Sequence, residues 1–374
     1  MRRERREPRD TGPLLDLYYA ALPDNGVSGD DRQALADDYR LSGPWLIMRP
    51  VRQAMHNIGP AVWWNNLERI MLAIDDLGCR HLLDCCGTVS LNPIAYLRLE
   101  VMDRVSEAGH GSNEDAIGAT PWAAWVIDAT KGPFDRKLPA GPTDAAWFAQ
   151  ALNAVLLAAY GDATPDPTAS LSRGAENISA AYVRAAAIAP SHEQPSACLA
   201  LIASGASRTL HLFNIGDCRI LVERASAVHP FGSSGIERLE SAAIAELIRL
   251  RDVGDPWPGL REMLKRNFAA AMNRPDGYWV VHPSLRWLHA VQHRALPAQA
   301  IDHVLIASDG FFRMVNAFGA YDERGLMAAA LHGKGLATLC TELREREADD
   351  RTCRRHPRLK PMDDASAILV RIIR

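Results

Sequence analysis

His303-Val304-Leu305-Ile306-Ala307-Ser308-Asp309-Gly310 is an apolar, β-branched run that passes through small residues into a carboxylate and a glycine. A run of this kind reads as a buried strand, and the Asp-Gly that ends it marks a sheet edge where the chain must turn. Asp309 is then a site residue, not core. Three other places repeat the arrangement: Trp125-Val126-Ile127-Asp128, Phe213-Asn214-Ile215-Gly216-Asp217, and Asp363-Asp364 directly before the apolar run Ser366 to Ile373. Clustered carboxylates repel and raise one another's pKa. Acids at the ends of several strands therefore call for something positive between them, and a divalent metal ion is the simplest answer.

Working outward, Tyr96 to Val105 alternates as a strand, and a second strand at Trp122 to Ile127 forms a hairpin that sets Glu114 and Asp115 beside Asp128. Thr143 to Tyr160 has a capped start and helical apolar spacing. Residues Asp162 to Gly174, rich in Pro, Ser and Thr, read as a loop before a helix from Ala175 to Ile188. Ala197 to Ala203, Thr209 to Asn214 and Cys218 to Glu223 read as a meander of consecutive antiparallel strands, with a tight turn at Gly216-Asp217. Helices follow at Ile236 to Leu250 and Leu260 to Met272, then a strand at Gly277 to Val281. Beyond Asp309 the pattern predicts helices over 311–318, 323–331 and 336–348, and a last strand from Ser366 to Ile373. Clustered strands with inserted helices, without strict β-α-β alternation, indicate an α+β layered fold with antiparallel sheet. Neither Gly-x-Gly-x-x-Gly nor a phosphate-loop Gly-Lys-Ser/Thr is present, which agrees.

At 374 residues the chain suits one large domain with an extension, or two domains. The division falls at residues 1–92, a partly helical extension without an assigned role, and 93–374. A balance of 42 basic against 45 acidic residues gives no electrostatic case for nucleic acid or an anionic membrane as partner. Seven cysteines without paired Cys-x-x-Cys spacing argue against a disulfide framework and a zinc ribbon, and fit a reducing cytoplasm. The basic start lacks the apolar core of a signal peptide, and no stretch approaches a membrane span.

Asp115, Asp128, Asp309 and Asp363 offer carboxylates without histidine or cysteine company, a set that suits Mg²⁺ or Mn²⁺ better than zinc. Two such ions can orient a water, lower its pKa and neutralise the charge of a phosphate ester.

Asn113-Glu114-Asp115, Asp128 at a strand end, Ile215-Gly216-Asp217-Cys218-Arg219, Ala307-Ser308-Asp309-Gly310 and Asp363-Asp364-Ala365-Ser366 occur in one order. That order resembles the dispersed motifs of the metal-dependent type 2C (PPM) serine/threonine protein phosphatases, in a divergent bacterial form, over residues 93–374. The resemblance implies a four-layer α-β-β-α sandwich of two antiparallel sheets flanked by helices, with a dinuclear metal site at one edge. It implies that Asp128 bridges the ions, that Asp115, Asp309, Asp363 and the carbonyl after Asp128 complete the ligands, and that Asp217 with Asp309 holds a third. It also implies hydrolysis of phosphoserine and phosphothreonine on a protein partner by a hydroxide bridging two metal ions.

This chain departs from the family pattern in three places: Ala129 stands where glycine usually follows the bridging aspartate, Lys131 where another glycine is common, and His110 where a phosphate-binding arginine lies. His110 thereby becomes a candidate catalytic residue with Asp128 and Asp309, and Arg104 or Lys131 a substitute for the arginine. The departures leave open two rivals: a phosphatase-fold sensor or scaffold that is weak or inactive, and a small-molecule phosphohydrolase. Gly216-Asp217 stays open between a type I′ hairpin turn and a third-ion ligand. Asp364 stays open between a hydrogen-bond acceptor and a strand cap.

Overall fold

A computed structural model describes residues 96–130, 142–162, 166–186, 194–232, 235–250 and 269–373, together with the helix α1 (Pro60–Asp76) and a few single positions. The chain divides into two units, Met1–Pro93 and Ile94–Arg374. In the first, α1 agrees with the partly helical character expected of residues 1–92, and its Asn66 donates to Gln53 Oε1 at 2.9 Å. The expected helix over 260–272 lies mostly outside the described residues.

The second unit contains two five-stranded antiparallel sheets. One has the order β1 (Arg98–Glu107), β10 (Ala365–Ile373), β9 (Ile301–Ala307), β6 (Arg219–Arg224) and β7 (Ala227–Phe231). The other has the order β2 (Asp115–Ala119), β3 (Ala123–Thr130), β4 (Ser196–Gly205), β5 (Thr209–Ile215) and β8 (Gln292–Pro297). Helices cover both outer faces, so the architecture is the α+β sandwich in four layers.

The continuous apolar runs have their reason here, because the central strands are buried on both faces. Val304 and Ile306 meet Ile220, Val222, Ile368 and Val370, and across the sandwich Ala124, Val126, Ala200 and Ile202. Their neighbours Leu305 and Ala307 point the other way, onto α5 (Asp309–Asn316), α6 (Glu323–Ala328) and α7 (Gly335–Asp349) through Phe311, Met314, Leu326 and Leu339. On the opposite sheet Trp125, Ile127 and Leu201 pack on Phe148, Leu152, Leu156 and Ile178 of α2 (Asp144–Ala159) and α3 (Pro167–Ala186). Fully burying one such aliphatic side chain is worth about 1.5–3 kcal/mol.

Four expectations are corrected. The segment Asp162 to Gly174 is helical from Pro167 onward: Asp166 Oδ1 accepts from Ala169 N at 3.0 Å, and proline at the first helical position loses no intrahelical bond. The meander fails because β5 and β6 belong to different sheets, so Gly216-Asp217 is a corner between layers, not a hairpin turn. Gly216 has φ +87°, and a Cβ there would lie 2.3 Å from Cys198 Sγ, so both the turn and the close packing require glycine. Residues 277–281 form no strand, only single bridges from Tyr278 to Met272 and from Val281 to Ala197. Finally, β7 and β8 occupy sheet edges in stretches where the sequence pattern marks no strand.

Candidate metal centre

The acids at the strand ends converge. Asp115 opens β2 and lies directly opposite Asp128 of β3. Asp309 begins α5 where β9 ends, Asp363 and Asp364 immediately precede β10, and Asp217 occupies the corner from β5 to β6. Asp115 and Asp128 thus come from one sheet, and Asp309 and Asp363 from the other.

Local bonds fix these positions. Asn113 Oδ1 accepts from Asp115 N at 2.9 Å, while Asn113 Nδ2 donates to Ser106 Oγ at 2.8 Å, which in turn bonds Ser366 Oγ at 2.8 Å. Asp364 accepts from the backbone N–H of Gly109 at 2.8 Å and of Glu114 at 2.6 Å, tying the Asn-Glu-Asp loop to the last strand across the sequence. Asp364 is therefore an acceptor that positions the loop. Gly310 lets α5 approach the same segment, since a Cβ there would lie 1.9 Å from the Asp364 carbonyl oxygen.

The charges in this pocket are under strain. Burial pushes the Asp115 carboxyl well above the usual carboxylate range; a Ser366 hydrogen bond opposes this, and Asp364, Asp309 and Asp363 add to it. Burial does the same to Asp128, reinforced by Asp115, Asp309 and Asp217. Asp217 is pushed up to about 6 by burial and then by Asp309. Asp309 moves the other way: burial opposes its ionisation, but a hydrogen bond with Asp128, the Arg313 and Lys360 charges and the Gly310 N–H outweigh it.

Sequence reasoning did not find four participants. Glu240, from α4 (Ile236–Leu250), is pushed up to about 8 by burial, then by Asp217 and Asp309. Cys218 is fully buried, with its sulfur within 4.8 Å of oxygens from Asp128 and Asp217. The expectation of acids without cysteine company is corrected by that contact. Arg313 Nη2 donates to Asp363 Oδ2 at 2.8 Å, and Lys360 Nζ donates to Asp363 Oδ1 at 2.8 Å. The available signals were the place of Cys218 directly after Asp217 and the spacing of Arg313, one helical turn after Asp309; Glu240 and Lys360 lie in segments without a motif.

Other candidates stand as follows. Ala129 is buried in β3 and is not among the residues with positive φ, so its backbone needs no glycine and keeps a carbonyl to offer. Its N–H donates to the Glu114 carbonyl at 3.3 Å. His110 is exposed on the loop before Asn113, and among the described residues no bond joins it to the acids. Arg104 is likewise exposed, on β1 opposite Ile368. Lys131 lies outside the described residues.

The residues fit a hard divalent cation. Oxygens of Asp217, Glu240 and Asp309 all lie within 4.8 Å of one another, and Asp115 Oδ2 and Asp217 Oδ1 are buried without a hydrogen-bond partner. Buried polar atoms are rarely left unpaired, and converging carboxylate oxygens that lack donors are what an oxygen-seeking ion satisfies.

This chain is similar to solved serine/threonine phosphatases. One is the Mycobacterium tuberculosis phosphatase PstP/Ppp, 15% identical, the match covering 75% of this chain and 100% of that one with a TM-score of 0.44. The chain is also similar to PppA, a key regulatory component of T6SS in Pseudomonas aeruginosa, 14% identical over 75% of this chain and 99% of that one, with a TM-score of 0.45. A third is the PPM Ser-Thr phosphatase MsPP of Mycobacterium smegmatis, 16% identical over 72% and 98%, with a TM-score of 0.42. No family model and no curated protein sequence matches. Among the described residues, no helix is long and apolar enough to cross a membrane.

Proposed function

We propose that the protein is a metal-dependent phosphatase that hydrolyses phosphoserine and phosphothreonine on proteins. The observation that supports this reading is the convergence of Asp115, Asp128, Asp217 and Asp309 from two sheets into one pocket with two unpaired buried carboxylate oxygens. Asp115, Asp128, Asp217 and Asp309, with the Ala129 carbonyl and Glu240, would hold Mg²⁺ or Mn²⁺. Such ions supply Lewis acidity, lowering the pKa of a water and offsetting phosphate charge. The chain's own part is to fix the carboxylates in place. Against burial, a hydrogen bond with Asp128 and the Arg313 and Lys360 charges hold the Asp309 carboxyl below its ordinary value, and the Asp364 tether keeps the Asn113–Asp115 loop against the last strand. The order of the motifs along the chain supports phosphoprotein over small-molecule substrates.

Replacing Asp128 or Asp309 by Asn tests the proposal. Mn²⁺-dependent hydrolysis of an aryl phosphate is expected to fall by at least about 100-fold, with an unchanged circular dichroism spectrum. Unchanged activity would refute the assignment. A panel of phosphopeptides and small phosphate esters then tests the substrate class. Hydrolysis confined to the small esters would favour the phosphohydrolase reading, and no hydrolysis of either would favour the scaffold.

A further inference from the structure

Asp363 stands among the ligands implied by the motif resemblance, yet both of its carboxylate oxygens are already in use. Oδ2 accepts from Arg313 Nη2 at 2.8 Å. Oδ1 accepts from Lys360 Nζ at 2.8 Å and from Asp364 N at 3.2 Å. These are charge-assisted contacts at full hydrogen-bonding distance.

Neither cation is there by chance of side-chain reach. Arg313 is pinned from behind by Glu347, whose side chain is 0% exposed, at 3.0 Å. Arg313 Nη1 also donates to the Lys360 carbonyl at 3.4 Å, and Arg358 Nε donates to the Pro361 carbonyl at 3.1 Å, so the backbone at the lysine and at the residue after it is held. Arg344 Nη1 completes the frame by donating to the Asp363 carbonyl at 2.7 Å. The Lys360 side chain is 62% exposed, and its ammonium is close enough to interact with Asp309 and Asp128 as well.

We propose that Lys360 is a built-in cation of this site: Asp363 pairs with its ammonium, not with a divalent ion, and the wild-type pocket holds one ion fewer than its carboxylates would otherwise accept. A tethered ammonium competes at a high effective concentration, because it never diffuses away. It compensates charge but, with donor contacts of 2.8 Å and no Lewis acidity, it cannot replace an ion in activating water. Ion binding then belongs to the Asp115, Asp128, Asp217, Asp309 and Glu240 side, and the Asp363 side is electrostatically complete without one. This rests on the metal-dependent reading above and changes its stoichiometry and ligand set.

The test counts Mn²⁺ ions bound per chain, from the loss of the free-ion electron paramagnetic resonance signal, in full-length protein. Lys360→Met is expected to bind one more ion than wild type, Lys360→Arg the same number as wild type, and Asp363→Asn also the same number. The double variant Lys360→Met/Asp363→Asn is expected to return to the wild-type count. An unchanged count in Lys360→Met, or one ion fewer in Asp363→Asn, overturns the proposal. Should Asp363→Asn not fold, the comparison of Lys360→Met with Lys360→Arg decides alone, since both changes are at an exposed side chain. A wild type that binds no Mn²⁺ beside a Lys360→Met that binds one overturns the metal-dependent reading while upholding the lysine's role. No binding by either overturns both.

Discussion

The two helical layers of the sandwich are built differently. Against the β2–β8 sheet, α2 and α3 press an apolar face of Phe148, Leu152, Leu156 and Ile178, with polar ties such as Trp125 Nε1 to Asn153 Oδ1 at 2.9 Å and Tyr160 OH to the Pro167 carbonyl at 2.8 Å. Against the β1–β7 sheet, α5 and α7 also bury Phe311, Leu339 and Leu343, but they carry a chain of buried ions through that layer. Glu347 bonds Arg313 at 3.0 Å and Arg344 at 2.6 Å, and Arg358 bonds Asp350 at 3.0 Å. Buried ion pairs are a poor way to gain stability compared with apolar contacts. Their placement accounts for them: Arg313 ends on Asp363 and Arg344 on the Asp363 carbonyl, so the charged layer reaches the candidate centre and the apolar layer does not.

The largest break in that contrast is expected from Glu347→Ala, which leaves two arginines without their buried partner. The cost is about 3–5 kcal/mol of unfolding free energy in urea, accompanied by a change in Mn²⁺ affinity. Leu152→Ala in the other layer is expected to cost about 2–4 kcal/mol while leaving Mn²⁺ affinity as it was. Equal shifts in affinity for both variants would show that the layers do not differ in this way. Asp364→Ala removes two charge-assisted acceptor contacts between the loop and the last strand, for about 2–3 kcal/mol and a weakened affinity.

The smallest expected effect is on pH dependence. Asp217 and Glu240 have folded-state pKa values of about 6 and about 8 against ordinary values of 3.8 and 4.5. They bind protons more tightly folded than unfolded, so their stabilising contribution is full below the ordinary values and is lost as pH rises through about 6 and then about 8. Without divalent ions, the Tm is expected to fall over that window, and added Mn²⁺ to raise it by more degrees at pH 8 than at pH 5. An equal rise at both would mean that these acids are not where the ion binds.

The sandwich was legible because its central strands obey one physical rule. Strands buried on both faces read as unbroken apolar runs, and an acid at the end of each is conspicuous against them. Edge strands obey no such rule: Gln292-His293-Arg294 in β8 and His229-Pro230 in β7 face solvent and carry no alternation. The β5–β6 corner misled because antiparallel strands joined by a Gly-Asp turn look alike whether they stay in one sheet or change sheets. Of the candidate centre, the strand-end aspartates were visible and their charged neighbours were not. Lys360 lies in a loop and Glu240 on an ordinary amphipathic helix, so only tertiary packing brings them in.

The corner at Gly216-Asp217 has a consequence for how the molecule comes apart. It is a short covalent link between the two sheets, and it lies beside acids drawn from both, so a cation seated there acts as a bolt through the layers next to an existing hinge pin. Backbone amides in β3 and β9, which share no hydrogen bonds, should then slow their exchange with solvent deuterium together when Mn²⁺ is added, as one cooperative opening unit.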